Sequence, residues 1–546
     1  MSHTIGHQPI LTEAVLSGLD KQAEHHLGFA GMTTSHEPDR LPLITPRLSK
    51  SKFLSGLQCH KRLYLEITQP ELATPPDPST QAILAMGTEI GVLAQRRFPG
   101  GVVVGPALRQ REAAVLQTAK LIEDARIPAI FEGAFEYEGV VVRVDILERI
   151  PVADGISPAW RLIEVKSSTR VKDVHLDDLA IQRHVLLGTG LNVAETCLMH
   201  IDTGYLYQGG EIDLQVLFAV DEVSPVVIDR QRKVPEQLAA MKAVLSKPDP
   251  PAIEPDARCH SPYECRFWAH CTQDKSPRWI YRLPGAKKVV EGLVQNGITT
   301  IDDIPPDVNL SITQRRVKDN VEWVSTGLGS VLRSVAYPIH HVDFETVMLA
   351  VPRFPAMRPY QSIPVQWSNH IELESGEIIH QEFIHGDATE PRKRWAETLI
   401  ESLGEAGTIV VYSSYEEAMM RQVAEAFPEF RQALSAMTKR LWDLFPVIKE
   451  HYYHPGFQGS YSIKFVLPAI VPGMSYRDLL IQDGGQAASE YYRMVFVEED
   501  WIEQAKIREA LLKYCARDTM AMVELRRALM KKAVPLSSQT SSKVTS

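Results

Sequence analysis

"FEGAFEYEGVVVRVDILERI", residues 131–150, reads as two strands folded back on each other at Glu138-Gly139, since glycine supplies the positive φ that a tight hairpin needs. "WRLIEVKSS" (160–168) follows as a further strand, and "LDDLAIQRHVLLGTG" (176–190) as an amphipathic helix closed by glycine. Strands and helices in this succession predict an α/β fold. The strands carry chemistry as well. "RVDIL" sets Asp145 among apolar neighbours, and Glu164 and Lys166 stand two apart, so that on a strand they address the same side. Two converging carboxylates are what a magnesium or manganese ion needs from a protein, and a nearby lysine can orient or help deprotonate an attacking water. The competing reading of "EVK" alone is a solvated strand with an ordinary ion pair.

Outward from this core, "LSKSKFLSGLQCHKRLYLEI" (48–67) and "AILAMGTEIGVLAQRRF" (82–98) have helical spacing. Upstream, "TTSHEPDRLPLITPR" offers Pro, Ser, Thr and charge without periodicity, so residues 1–45 read as a disordered leader. Downstream, "LPGAKKVVEGLVQNGITTIDDIPPD" and "SITQRRVKDNVEWV" predict a small helical connector over 276–335. A new strand pattern, "YPIHHVDFETVMLAV", opens a second domain at 336–535, and 536–546 reads as a disordered tail. The first domain then spans 46–275.

The 546 residues are 44% hydrophobic and 23% charged with a net charge of −10, an ordinary globular composition at a length that calls for more than one domain. No apolar run is long enough for a membrane span and no signal-peptide core is present, so the expected compartment is the cytoplasm. In a reducing compartment, cysteines that cluster point to metal rather than to disulfides. Three of the six cysteines, Cys259, Cys265 and Cys271, stand at equal intervals in "CHSPYECRFWAHC". Cys197 and Cys515 lie in apolar-periodic segments and read as core thiols. The acidic balance argues against a plain nucleic-acid coat.

The second half holds its own constellation. "IHHVDFETV" carries Asp343 and Glu345 two apart on a predicted strand, and in "LLKYCARDTMAMVELRRAL" Tyr514 and Asp518 are four apart on one helix face. "HYYHPGFQGSYSIKFVLPAIVPGMSY" (451–476) is rich in aromatic residues and glycine around Lys464; its rings could stack on unpaired bases while the lysine meets phosphate, or could simply pack. Arg315, Arg316 and Lys318 in the connector make a basic helix face, which solvation alone also explains.

On these residues, 46–275 resembles an iron–sulfur PD-(D/E)XK nuclease of the RecB type, a family that includes CRISPR-associated exonucleases and AddAB-type repair nucleases. The resemblance implies metal ligation by Asp145 and Glu164, catalytic roles for Lys166 and for Gln182 on the following helix, and a further ligand, Glu89, from an early helix. The family usually carries a tyrosine four residues after the Gln, where this chain has Leu186. The family also implies that Cys59, before the nuclease core, joins Cys259, Cys265 and Cys271 after it in one clasp, holding a [4Fe–4S] cluster or, in its place, zinc.

Residues 336 to about 530 resemble the DEDD exonucleases, RNase H-fold enzymes, in their tyrosine subtype. That likeness implies Mg2+ or Mn2+ held by Asp343, Glu345, Asp518 and a fourth carboxylate, Glu416 in "GTIVVYSSYEEAMMRQVAEAF" or its competitor Asp443 in "RLWDLFPVIKEHYY", with Tyr514 orienting the nucleophile. The connector is similar to helix-hairpin-helix pieces that grip a nucleic-acid backbone, which would employ Arg315, Arg316 and Lys318. With "YSIKFVLPA" and "IQDGG", the whole is similar to a bacterial group that joins both modules in one chain. The implied function is a metal-dependent nuclease with two active-site domains, acting on DNA ends or single strands in repair or defence, beside a helicase or another repair or defence partner. Two alternatives stand: a nucleic-acid-binding protein with degenerate sites and a structural or redox-sensing cluster, and an RNA-processing 3′→5′ exonuclease.

Overall fold

A computed structural model describes residues 47–105, 111–151, 158–285 and 287–533; the expected leader and tail lie outside the described residues. The chain is mixed α/β, and the described residues fall in one compact unit. Among the described residues no helix is long and apolar enough to cross a membrane.

The first sheet contains β1 (Leu48–Ser49), β2 (Val102–Val103), β3 (Ala129–Tyr137), β4 (Val140–Ile150), β5 (Ala159–Lys166), β6 (Val193–Ile201) and β7 (Phe218–Glu222), in the order β2-β3-β4-β5-β6-β7. β3 and β4 turn at Glu138 and Gly139, both at positive φ (50° and 76°), the backbone of the two-residue hairpin. β3 takes one edge of β4 along its length, so the other edge is shared: β1 pairs with Val140 and Val141, and β5 pairs only from Ile146 onward. Asp145 sits in the gap. The side-chain alternation slips there too, for Val140, Val142, Val144 and Leu147 enter one core while Ile146 enters the other. Such an irregularity re-aims a side chain.

Helices cover both faces. On one, α1 (Lys50–Gln58), α2 (His60–Thr68), α4 (Arg111–Glu123) and α5 (Asp173–Gly188) share a core with Leu162 and Leu198; on the other, α3 (Pro78–Gln95) shares a core through Ile90 and Ala94 with Ile146, Ile163 and Val165. α1 and α2 are broken at Cys59, whose extended backbone (φ −163°, ψ 122°) ends one helix and begins the next.

The second sheet orders β11 (Ile378–Ile384), β10 (Ser362–Glu372), β9 (Ile339–Met348), β12 (Thr408–Val411) and β13 (Leu441–Asp443), with three antiparallel strands followed by two parallel ones. A small pair, β8 (Trp323–Val324) with β14 (Tyr452–Tyr453), lies outside it. Val342 and Phe344 of β9 enter the core formed with Trp395 and Leu399. His341, Asp343 and Glu345 alternate to the opposite face, where the helix Trp501–Lys532 crosses β9 and β10.

The connector is not a separate body. Ile280, Leu293, Ile304 and Val317 share one continuous core with Leu332, Val410, Tyr452 and Leu525, because its short helices have too little apolar surface to close a core of their own. Most of the aromatic stretch is packing: Tyr452, Tyr453, Phe457, Tyr461 and Tyr476 are buried, and rings enclosed in this way are not platforms for bases, whereas Phe465, beside Lys464, is exposed.

Candidate functional site

Two clusters of charged side chains gather on opposite halves of the chain. In the first, the seam on β4 brings Asp145, Glu164, Lys166 and Gln182 together and adds two residues outside the predicted set, Lys50 and Asp178. Asp145 accepts from the Val165 amide at 2.8 Å. Lys166 donates to Glu164 Oε1 at 2.5 Å and to Asp178 Oδ2 at 2.8 Å. Gln182, wholly buried, donates to Glu164 Oε2 at 2.7 Å and to Asp178 Oδ1 at 3.0 Å. Lys50, the first residue of α1, reaches both Glu164 oxygens at 2.9 and 3.1 Å.

The electrostatics follow from this crowding. Burial opposes charge on Glu164, yet Lys166 and Lys50 hold its carboxyl well below the ordinary range. Burial, with the charge on Glu164, pushes Asp145 up to about 7 and raises Asp178. Against their own desolvation, the surrounding carboxylates raise both lysines. Glu89 does not join this cluster. It is exposed on α3, which packs on the opposite face of the sheet from Leu162 and Glu164, and it accepts from Tyr492 at 3.2 Å.

Next to α1, the Cys59 corner meets the 259–271 loop. Gln58 donates to the carbonyls of Arg258 and Tyr263, both at 2.7 Å, and the amide of Thr74 donates to Arg266 O at 2.8 Å. Leu65 of α2 packs against Cys265 and Phe267, with Cys259 and Cys271 beside them. All four thiols are free. Burial raises Cys259, Cys265 and Cys271, and the charge of Cys59 adds to the rise in each. Four thiols at this junction form a donor set whose thiolates would repel one another, a repulsion that a thiophilic metal or cluster would relieve.

The second cluster lines a cavity of about 240 Å³ with Asp343, Glu345, Glu416, Lys464, Tyr514 and Asp518. Donor atoms of Asp343, Glu345 and Cys515 lie within 4.8 Å of one another. Cys515 is a core thiol, as its periodicity predicts, but its sulfur is 3.8 Å from Asp343 Oδ2. The Tyr476 hydroxyl donates to Asp518, and Ser413 Oγ donates to Glu416 at 3.3 Å. Lys464 lies 5.7 Å from the ring centres of both Tyr476 and Tyr514, so it faces the carboxylates rather than an outer groove. Asp443 does not line the cavity; its carboxylate caps the helix Leu444–His451 by accepting from the Phe445 amide. Burial pushes Glu416 up to about 7 and Asp518 to about 6, and burial with mutual repulsion raises Asp343 and Glu345 well above the carboxylate range. Burial also raises the Tyr514 phenol, which stays protonated.

The connector residues divide. Arg315 is exposed and Lys318 half-buried, but Arg316 lies 4.1 Å over the Trp323 ring and donates to Lys449 O and Tyr461 Oη. Its guanidinium braces the connector against the second half and is not free for a phosphate.

The second cluster has a direct pH consequence. Carboxyls raised above their unfolded values bind more protons in the native state, so the contribution of this cluster to the stability of the metal-free protein falls as pH rises from about 4 through 7. A divalent ion that neutralises the ionised groups reverses this. The rise in unfolding temperature on adding Mn2+ is therefore expected to be small at pH 5.5 and to grow up to pH 8, as thermal scans with and without Mn2+ would measure.

A family profile described as a domain of unknown function (DUF2779) matches residues 340–462. The match begins on β9 and includes Asp343, Glu345 and Glu416, but ends before Lys464, Tyr514 and Asp518. No curated protein matches the chain at a meaningful level of similarity.

Proposed function

We propose that the protein is a metal-dependent nuclease whose hydrolytic centre is the cluster on β9 and the helix Trp501–Lys532. The observation that carries this reading is the convergence of Asp343, Glu345, Glu416 and Asp518 on one cavity beside Tyr514 and Lys464. Four carboxylates with raised proton affinity and a single ammonium are an unstable assembly by themselves, and Mg2+ or Mn2+ fits them as the missing charge.

Asp343, Glu345 and Asp518 would hold the ions, with Glu416 closing the set from the start of the helix Tyr415–Ala426. Bound there, such ions polarise the phosphate and lower the pKa of the attacking water. The chain does the remaining work. Tyr514, kept protonated by its burial, is a donor that orients the water, and Lys464 stands ready for a non-bridging phosphate oxygen. The tyrosines flanking Lys464 hold its ammonium over their faces.

The substrate read from this chemistry is a phosphodiester of a single strand or of a DNA end, degraded as in the 3′→5′ exonucleases that the second half resembles. The clasp of Cys59, Cys259, Cys265 and Cys271 would hold a [4Fe–4S] cluster or, in its place, zinc. The reading is tested with the full-length protein on end-labelled single strands: Mn2+-dependent shortening that EDTA stops is expected. A protein that binds the strand but leaves it intact at every Mn2+ and Mg2+ concentration supports the binding-protein alternative instead.

A further inference from the structure

The first cluster does not fit a divalent ion in the way its resemblance implies. Both oxygens of Glu164 already accept two donors each: Oε1 from Lys50 and Lys166, Oε2 from Lys50 and Gln182. Gln182 donates to both Glu164 and Asp178, taking up an oxygen on each that a metal ion would otherwise use. The Lys50 ammonium is also 3.9 Å from Asp178, so two lysines face three carboxylates. Topology holds Lys50 there. β1 occupies the same edge of β4 as β5 does, and α1 starts directly after β1, at the seam that exposes Asp145.

We propose that Lys50 is the resident cation of the first cluster, standing where a divalent ion would have to bind, so that this centre is metal-free while the second one carries the ions. The inference rests on the reading of the second cluster as the hydrolytic centre. An ammonium on Glu164 supplies the positive charge that a folded acidic cluster requires without supplying a Lewis acid. The first domain then serves the second as a scaffold rather than as a second hydrolase.

The test is Mn2+ binding to the full-length protein, followed by electron paramagnetic resonance, with thermal unfolding as a check on folding. In Asp343→Asn, which disables the second cluster, no bound Mn2+ that responds to Glu164→Gln is expected. Adding Lys50→Met to Asp343→Asn is expected to create one Mn2+ site, and Glu164→Gln to abolish it; Lys50→Arg, which keeps the charge, is expected to create none. If Lys50→Met does not fold, Asp343→Asn and Asp343→Asn/Glu164→Gln decide the matter by themselves, since equal Mn2+ binding supports the proposal. Mn2+ bound by Asp343→Asn and lost on Glu164→Gln overturns it. Mn2+ binding that is unchanged between wild type and Asp343→Asn, and insensitive to Glu164→Gln, contradicts instead the reading of the second cluster.

Discussion

Asp343→Asn is expected to lower Mn2+-dependent hydrolysis by at least about 10²–10³-fold, the order associated with losing one preorganised electrostatic group at a reacting centre. Asp343 projects from β9 into the cavity beside Glu345, Cys515 and Asp518, and asparagine keeps its shape while removing a charge that an ion would need. The same change should not weaken the metal-free fold. Burial and the neighbouring Asp518 and Glu345 charges already disfavour an ionised Asp343, so a neutral isostere removes repulsion. The metal-free variant should unfold at or above the wild-type temperature at pH 8, and its Mn2+-induced stabilisation should be largely gone. Lost activity accompanied by a lower unfolding temperature would mean that Asp343 braces the fold and has no special role toward an ion.

Cys265→Ala is expected to have the largest effect on stability. The thiol is buried against Leu65 and Phe267 at the junction of α2 with the 259–271 loop. These segments are about 200 residues apart in sequence (Gln58 to Arg258) and are otherwise joined by the two Gln58 hydrogen bonds and the Thr74–Arg266 contact. A cluster held by four thiolates contributes its binding energy to folding. Anaerobically purified wild type should contain about four iron and four sulfide per chain, and Cys265→Ala should contain neither and should unfold well below wild type. One zinc and no iron would keep the clasp and change its occupant. No metal in the wild type, with an unaltered unfolding temperature in the variant, would remove the clasp from the account.

Local patterns in the sequence carry much of this arrangement. Gly139 marks the hairpin, the two-residue period puts Glu164 with Lys166 and Asp343 with Glu345, and the four-residue helical step puts Tyr514 above Asp518. Each depends on neighbours within one element, where periodicity is strict. The residues that escaped notice depend on pairing across the chain. Lys50 reaches Glu164 only because β1 joins the edge of a strand some 90 residues later, and nothing in "LSKS" encodes that. Cys515 has the apolar surroundings of a core thiol, and only the crossing of its helix over β9 brings it against Asp343. Asp178 did leave a signal, standing one helical turn before Gln182. Glu89 fails for a reason periodicity does not reveal: its helix covers the other face of the sheet. Arg316 reads as one charge of a basic face, but Trp323 and the carbonyl of Lys449 take it up.

The most direct measurement is the digestion of a 5′-labelled single-stranded DNA, with an RNA of the same sequence alongside, by full-length wild type and Asp343→Asn in Mn2+. The account predicts stepwise shortening from the 3′ end by wild type, stopped by EDTA and absent in the variant. Equal digestion by wild type and Asp343→Asn, or none by a wild type shown to bind Mn2+ at the second cluster, would contradict it.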